Sequence, residues 1–361
     1  MATQWHSDLE HLLDGATKAN VPLNLMLETT YRCNLACRHC YVSDPGGTEM
    51  SMAEIRDALE QLAEAGSLFL TLTGGELLVR DDWYEIFRHA RELSFVVRLF
   101  SNGSLITDRV AERIADLKAL EVGVSLYGAK EETHEEVTRV GGSFEATLAG
   151  LRALKSAGVK REIKFLLMRH NLGEYQRVRA LADELEAEVS FSFYISPRVD
   201  GSADSCEMRM SDEDLTKALA DGFLYPDTRR ERQADRPDLR GPALAGAPMC
   251  GAGRDTCAIS PYGDIRPCAI LPLVAGNFRE RRFADVWRDS ALLRRLRGAE
   301  LSRLQGCRDC PSVGYCGRCT AFALLEDGDM FGPSSFACHI EEVAARMESA
   351  AQQSGPCDGR R

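Results

Sequence analysis

The 361-residue sequence lacks the features that would tie it to nucleic acid, a bilayer or export. It has no basic excess: Lys and Arg number 44 against 55 Asp and Glu, a net charge of −11. Affinity for nucleic-acid phosphates rests on neutralising them with Lys and Arg, so no nucleic-acid partner is expected. No apolar run approaches the roughly 20 residues needed to span a bilayer, so no membrane association is expected either. The opening Met-Ala-Thr-Gln-Trp-His-Ser-Asp has neither the basic nor the apolar region of a signal peptide. What is abundant is cysteine. Thirteen cysteines in a leaderless chain point to metal ligation in a reducing cytoplasm rather than to disulfides. Three lie in one early loop, eight fall between Cys250 and Cys338, and Cys206 and Cys357 stand apart.

The early group is Cys33, Cys37 and Cys40, spaced C-x3-C-x2-C directly after the apolar alternation Leu23–Thr29, which reads as a strand. Three thiolates from one loop can hold three irons of a cubane [4Fe–4S] cluster and leave the fourth iron open to a chelating ligand. A zinc knuckle is the alternative. It needs a fourth Cys or His, and the only nearby His, His39, is adjacent to Cys40 and cannot easily close a tetrahedron with it.

Length and 44% hydrophobic residues suit two packed domains. Residues 1–20 carry Trp5, Leu9, Leu12 and Leu13 at helical spacing. Over 21–197 strand and helix alternate, with strands at 22–28, 68–73, 95–100, 121–127, 161–168 and 188–195. The helices expected between them are Ser51–Ala65, Asp81–Leu93, Asp108–Lys118, Ser143–Ala157 and Glu174–Glu186, the first capped by Ser51 with Glu54. Six such repeats predict an α/β fold with a parallel sheet, two units short of a closed eight-stranded barrel, and with function at the C-terminal ends of its strands. There stand Gly74-Gly75-Glu76, Ser101-Asn102, Ser125, Arg139 and Asn171. The paired glycines allow close backbone approach, and the carboxylate can accept hydrogen bonds from an ammonium group. Residues 198–247 are rich in Pro, Gly and charge, with a helix near Asp212–Ala220, and read as a bridge. Residues 248–345 read as a cysteine-rich domain, and 346–361 as a polar, disordered tail holding Cys357, to which no role is given.

In that domain the spacing is Cys250-x6-Cys257-x10-Cys268, then Cys307-x2-Cys310-x5-Cys316-x2-Cys319, then Cys338. Eight cysteines make two sets of four, enough to ligate two [4Fe–4S] clusters fully. Two C-x2-C pairs also suit zinc ribbons.

The early loop resembles the cluster loop of the radical S-adenosylmethionine (SAM) enzymes, with His39 at its aromatic position, and the resemblance implies that the six units form a partial (β/α)6 barrel. Gly74-Gly75-Glu76 resembles the motif that holds the SAM amino group, although Leu77 replaces the usual proline. Ser101, Asn102 and Ser125 fall on positions resembling the ribose and methionine contacts, with Tyr127 replacing a commonly acidic residue. Arg139 is a candidate for the SAM carboxylate, with an exposed salt bridge as the alternative, and Asn171 another cofactor contact. The later cysteines, with Tyr262-Gly263 and Gly276-Asn277-Phe278 before a helix bearing Trp287, resemble the SPASM domain. That resemblance implies interleaved clusters, one on Cys250, Cys257, Cys268 and Cys319 and one on Cys307, Cys310, Cys316 and Cys338. The gap between Cys316 and Cys319 is one shorter than is usual.

The resemblance implies three [4Fe–4S] clusters, an external reductant such as flavodoxin or ferredoxin, and cleavage of SAM to methionine and a 5′-deoxyadenosyl radical. The expected substrate is a ribosomally made peptide that is cross-linked, epimerised or oxidised. Formylglycine formation in a sulfatase, oxidation of a small-molecule alcohol, and a non-catalytic electron carrier are the alternatives. Cys206 is a candidate hydrogen donor, with an inert linker cysteine as its alternative. With the first strand near residue 22, a separate leader-binding protein or leader contacts near Asp212–Arg240 are expected in place of an N-terminal winged helix.

Overall fold

The structure, a computed structural model, describes residues 15–224, 246–313 and 316–353. Most of the amphipathic segment expected over 1–20, the charged run beginning at Arg229 and the end of the tail with Cys357 lie outside the described residues. Packing divides the chain into two units. One holds residues up to Met208 together with Cys250–Gly298, and the other Arg209–Met249 with Ala299 onward.

The first unit contains a nine-stranded sheet in the order β6-β5-β4-β3-β2-β1-β7-β8-β9. Strands β1 (Asn24–Glu28), β2 (Phe69–Thr73), β3 (Val96–Ser101), β4 (Glu121–Leu126), β5 (Arg161–Leu166) and β6 (Glu188–Ser192) pair in parallel. Parallel neighbours need a crossover, and helices supply it. They are α1 (Met52–Glu64), α2 (Trp83–Glu92), α3 (Asp108–Asp116), α4 (Glu131–Thr138), α5 (Ser143–Ser156) and α6 (Tyr175–Glu184). The sheet does not close, as expected of a partial barrel. Helix α1 shows why these segments fold as they do. Ser51 and Glu54 form the capping box, and Ile55, Ala58, Leu59 and Leu62 bury one face.

Two features differ from the expectation. Helix α4 is an additional element between β4 and α5; it is short and acidic, burying His134, Val137 and Thr138. The sheet also continues past β1. Strand β7 (Thr256–Ile259) pairs in parallel with β1, setting Cys257 beside Leu25, and β8 (Asp264–Arg266) and β9 (Gly276–Asn277) follow antiparallel. Helix α8 (Phe283–Asp289), with α9 (Ala291–Arg297) directly after it, then packs on the barrel side of the same unit. There the Phe283 amide donates to Gln61 at 2.7 Å and the Trp287 indole to the Asn20 carbonyl at 2.6 Å.

The second unit is helical. Helix α7 (Asp212–Ala220) matches its expected span, and α10 (Thr320–Asp327) and α11 (Ser335–Gln353) complete it. Helix α11 runs into the segment expected to be a disordered tail. Its residues there are good helix formers, and no Gly or Pro intervenes before Gly355-Pro356. Among the described residues, no helix is long and apolar enough to cross a membrane.

Candidate active site at the strand C-termini

Beyond Glu28 the chain leaves β1 and enters the cysteine loop, which is fixed by backbone bonds on two sides. The Ala36 and Arg38 amides donate to the Thr138 and Val137 carbonyls at the end of α4, both at 3.0 Å. On the other side the Gly75 amide donates to Thr30 at 2.7 Å and the Glu76 amide to Arg32 at 3.0 Å. These last two bonds explain the paired glycines. A Cβ on Gly74 would stand 2.3 Å from the Thr30 carbonyl oxygen, and one on Gly75 2.5 Å from those of Tyr31 and Arg32. Only glycine allows the Gly-Gly-Glu segment to lie against the cysteine loop.

Cys33 is exposed, while Cys37 and Cys40 are half-buried. Burial pushes the Cys37 thiol up to about 12, and the neighbouring Cys40 and Cys33 push it further in that direction. Cys33 is raised by burial and by Glu76 and Cys40. Cys37 packs against an apolar cluster of Tyr127, Val137, Met168, Ile195 and Met208. The His39 ring stands edge-on to Tyr127, centroids 4.5 Å apart, and burial takes its pKa down to about 4, so the imidazole is neutral. Among the described residues no three Cys, His, Asp or Glu side chains converge on a single-ion site. In a cubane each thiolate binds a different iron, so the three need to face a common volume rather than a common atom.

Glu76 is buried, and burial raises its carboxyl pKa. It accepts from the Ser101 hydroxyl at 3.0 Å, the Asn102 amide at 2.7 Å and the Leu78 amide at 3.1 Å. The Asn102 side chain donates to Asn34 at 2.9 Å and lies 3.9 Å from the Cys33 sulfur. Gly74, Gly75, Glu76, Ser101 and Asn102 thus gather beside Cys33. Ser125 is half-buried near the end of β4. Arg139 is exposed in the left-handed cap of α4 with φ 60°, one residue past the carbonyl that holds Ala36. Asn171 has a different role from the expected cofactor contact. It is fully buried, its amide donating to the Tyr127 and Leu166 carbonyls at 3.0 and 2.8 Å and accepting from the Met168 amide at 2.7 Å. Its polar atoms brace the ends of β4 and β5. Cys206 lies in the 3₁₀ turn Asp204–Met208, whose last residue joins the cluster around Cys37.

The strand-and-loop reading of the sequence missed a second network next to the cysteine loop. Glu28 is buried at the end of β1, and the Tyr31 and Tyr41 hydroxyls each donate to it at 3.1 Å. Arg266 of β8, also buried, pairs with the same carboxylate and donates to the Tyr31 oxygen at 2.7 Å. Burial raises the Glu28 pKa, opposed by Arg266 and the two tyrosines. The network joins the cysteine loop to a strand that ends two residues before Cys268. A charged residue ending an apolar strand was its one sequence signal.

A sequence model of the Radical SAM superfamily matches residues 27–181, and one of the SPASM iron–sulfur cluster-binding domain matches 250–311. An AdoMet-dependent heme synthase of Methanosarcina barkeri is 30% identical over 332 residues, covering 86% of this chain and 94% of that protein. The chain belongs to the radical SAM superfamily and carries a SPASM domain. Mycofactocin maturase MftC of Mycobacterium ulcerans is 33% identical over 335 residues, 89% of this chain and 85% of that one. Among solved structures, Streptococcus suis SuiB bound to its precursor peptide SuiA superposes with TM-score 0.69 at 18% identity, covering 92% of this chain and 80% of SuiB. AdoMet-bound anSMEcpe gives TM-score 0.67 at 16% identity, covering 92% of this chain and 100% of that one. These two likenesses concern the fold.

The SPASM cysteines of this radical SAM protein divide between the units. Cys250, Cys257 and Cys268 lie in the first, with Cys257 fully buried in β7. Cys319 lies in the second with Cys307, Cys310, Cys316 and Cys338. Pairs among Cys307, Cys310, Cys316 and Cys338 lie near enough to act on one another electrostatically. Burial pushes Cys316 up to about 12, reinforced by Glu341 and then by Cys338 and Cys310. Burial, Cys307 and Cys310 raise Cys338. Thiols that raise one another in this way are relieved when an iron–sulfur core takes them as thiolates, so the donor set fits the cluster.

Proposed function

We propose that this radical SAM enzyme takes a hydrogen atom from a peptide substrate and that its auxiliary clusters accept a second electron. The observation that carries the SAM chemistry is the docking of Gly74-Gly75-Glu76 onto the cysteine loop, which sets a buried carboxylate and Asn102 beside Cys33. Cys33, Cys37 and Cys40 would hold the SAM-binding cluster. Glu76 would receive the SAM ammonium, with Ser101, Asn102, Ser125 and Arg139 along the rest of the molecule. Bound there, cluster and SAM together supply a 5′-deoxyadenosyl radical that can take a hydrogen atom from the substrate. Ser101 and the Asn102 and Leu78 amides hold the Glu76 carboxylate in one orientation, so no reorganisation is needed when a cation arrives. The apolar cluster around Cys37 keeps water from one side of the loop.

Cys307, Cys310, Cys316 and Cys338 would hold one auxiliary cluster, and Cys250, Cys257 and Cys268 would contribute ligands to the other. Full cysteine ligation suits electron transfer, because burial, charge and hydrogen bonds to sulfur set a cluster's potential. The peptide reading draws on the mycofactocin maturase relative. The heme synthase relative, matched over 94% of its length, favours a second reading in which the substrate is a haem precursor.

The test is anaerobic incubation of reconstituted protein with SAM and dithionite. Methionine and 5′-deoxyadenosine are expected, and their absence would favour an electron carrier. Flavodoxin or ferredoxin should replace dithionite. Adding a precursor peptide or a porphyrin precursor, and following its mass, separates the two substrate readings.

A further inference from the structure

Arg318 stands between Cys316 and Cys319 in the second unit, and its half-buried side chain reaches across to the turn before α11. Its Nε donates to the Gly332 carbonyl at 2.8 Å and one terminal nitrogen to the Met330 carbonyl at 2.6 Å. The other terminal nitrogen donates to the Thr320 hydroxyl at 3.3 Å. The turn it holds also adjoins two more of the cysteines. Pro333 packs on the residue before Cys307, where a Cβ on Gly306 would stand 2.9 Å from the proline ring. The next carbonyl, of Ser334, accepts from the Cys338 amide at 2.9 Å.

All three acceptors of the guanidinium are neutral, and among the described residues no carboxylate pairs with it. A half-buried cation without a counter-ion is costly, because nothing repays its lost hydration. The cysteines can supply one. Burial raises the Cys307 pKa, and the Arg318 charge draws it back. Burial and Glu341 raise Cys316, against which the Arg318 amide acts. Glu342 and Asp327 add to the burial that raises Cys338. The carboxylates around these thiols thus push one way, and Arg318 is the cation that opposes them. Four thiolates on a cubane core carry net negative charge, and reduction adds one more. A fixed positive charge beside them favours the reduced form and raises the potential, which is the bias that an electron acceptor needs.

We propose that Arg318 is the counter-charge of the cluster on Cys307, Cys310, Cys316 and Cys338, and that it sets the potential at which this cluster takes an electron from the substrate radical. The step is a one-electron transfer, in which the radical is oxidised and the cluster reduced by the same electron. Arg318 is a positioning residue here, acting through the cysteines it adjoins. The inference rests on the auxiliary-cluster reading above and gives the acceptor's potential a named cause.

A redox titration of anaerobically reconstituted full-length protein, followed by electron paramagnetic resonance, tests it. Arg318→Gln and Arg318→Lys are each placed in the C33A/C37A/C40A background, so that only the auxiliary clusters report. At the parent's midpoint, R318Q should lower the reduced-to-oxidised ratio of one cluster about tenfold, the order of one partly screened unit charge. For a one-electron couple that is about 59 mV. The other cluster should not move. R318K keeps the charge but not the planar fork, and should stay within about threefold of the parent. Both variants should retain about 8 irons. An unchanged midpoint in R318Q with its iron intact, or equal falls in both variants, would overturn the proposal. Loss of about four irons from R318Q alone would support it, since the two variants differ chiefly in charge. The same loss from both would make Arg318 a brace for Met330–Gly332 and overturn it. Zinc in place of iron, read by elemental analysis, would remove the auxiliary-cluster reading itself, a failure distinct from the others.

Discussion

Replacing Arg266 by Met should be among the most damaging single changes in the first unit, although Arg266 touches no thiol proposed to bind iron. The guanidinium is the only cation paired with Glu28 among the described residues, and the Glu28 side chain is about 1% exposed. Removing one partner of a buried ion pair leaves the other charge uncompensated, which typically costs about 3–5 kcal/mol. Two tyrosine hydroxyls remain to Glu28 and offset part of this loss, so about 3 kcal/mol is expected. The deficit should depend on pH. Burial already raises the folded-state pKa of Glu28 above 4.5, and loss of Arg266 raises it further. A carboxyl with a raised folded pKa favours the fold while protonated and loses that support as pH climbs through the folded value. R266M should thus lie nearest the wild type close to pH 4 and furthest from it near pH 8. Urea unfolding of the apo protein across that range is the assay. The double variant E28Q/R266M, with no buried charge to strand, should recover at least about 1 kcal/mol over R266M. A loss below about 1 kcal/mol in R266M, or a double variant no better than the single, would refute the idea that Glu28 is held ionised by Arg266.

Three further outcomes are expected. Glu76→Gln should keep its iron but bind SAM roughly 10- to 150-fold more weakly, because the bond it loses is charge-assisted; normal affinity in an equilibrium titration would reduce Glu76 to a brace for Ser101 and Asn102. Reconstituted wild type should carry about 12 irons per chain and C33A/C37A/C40A about 8, with SAM cleavage abolished; zinc at the C-terminal cysteines in elemental analysis would remove the auxiliary clusters. His134, buried and accepting the Tyr127 amide at 3.2 Å, has its pKa brought down by burial to about 4. Its neutral form therefore supports the fold above pH 6.5 and that support is lost as pH falls toward 4, so His134→Asn should flatten the pH dependence of unfolding between those values by about one proton.

The features legible in the sequence were those written locally. Cysteine spacing within one loop, the Ser51–Glu54 cap and the alternation of strand and helix all sit within a few residues of what they specify. What escaped depends on partners far along the chain. Glu28 and Arg266 are 238 residues apart, and no periodicity relates them. The glycines of Gly74-Gly75 read as room for a ligand, yet the surface they approach is the cysteine loop itself. Asn171 was placed correctly past β5, but its amide is used up by three backbone groups that only the folded chain brings within reach. Helix α4 was missed because eight residues make barely two turns, too few for a 3.6-residue repeat to register.

The pairing of β7 with β1 has a consequence for how the molecule is made. Until Thr256–Ile259 arrive, β1 presents an open ladder on that side, the arrangement that invites pairing with another chain. Glu28 and Arg266 are separated by 238 residues, which at roughly 5–20 residues per second takes on the order of 10–50 s to synthesise. During that interval the first strand emerges, and can pair with β2, long before its other neighbour exists. Molecular partners that shield bare strand edges would act in this window. A polypeptide stopped after β6 would remain in it permanently, and should collect as aggregate rather than as a small, working barrel.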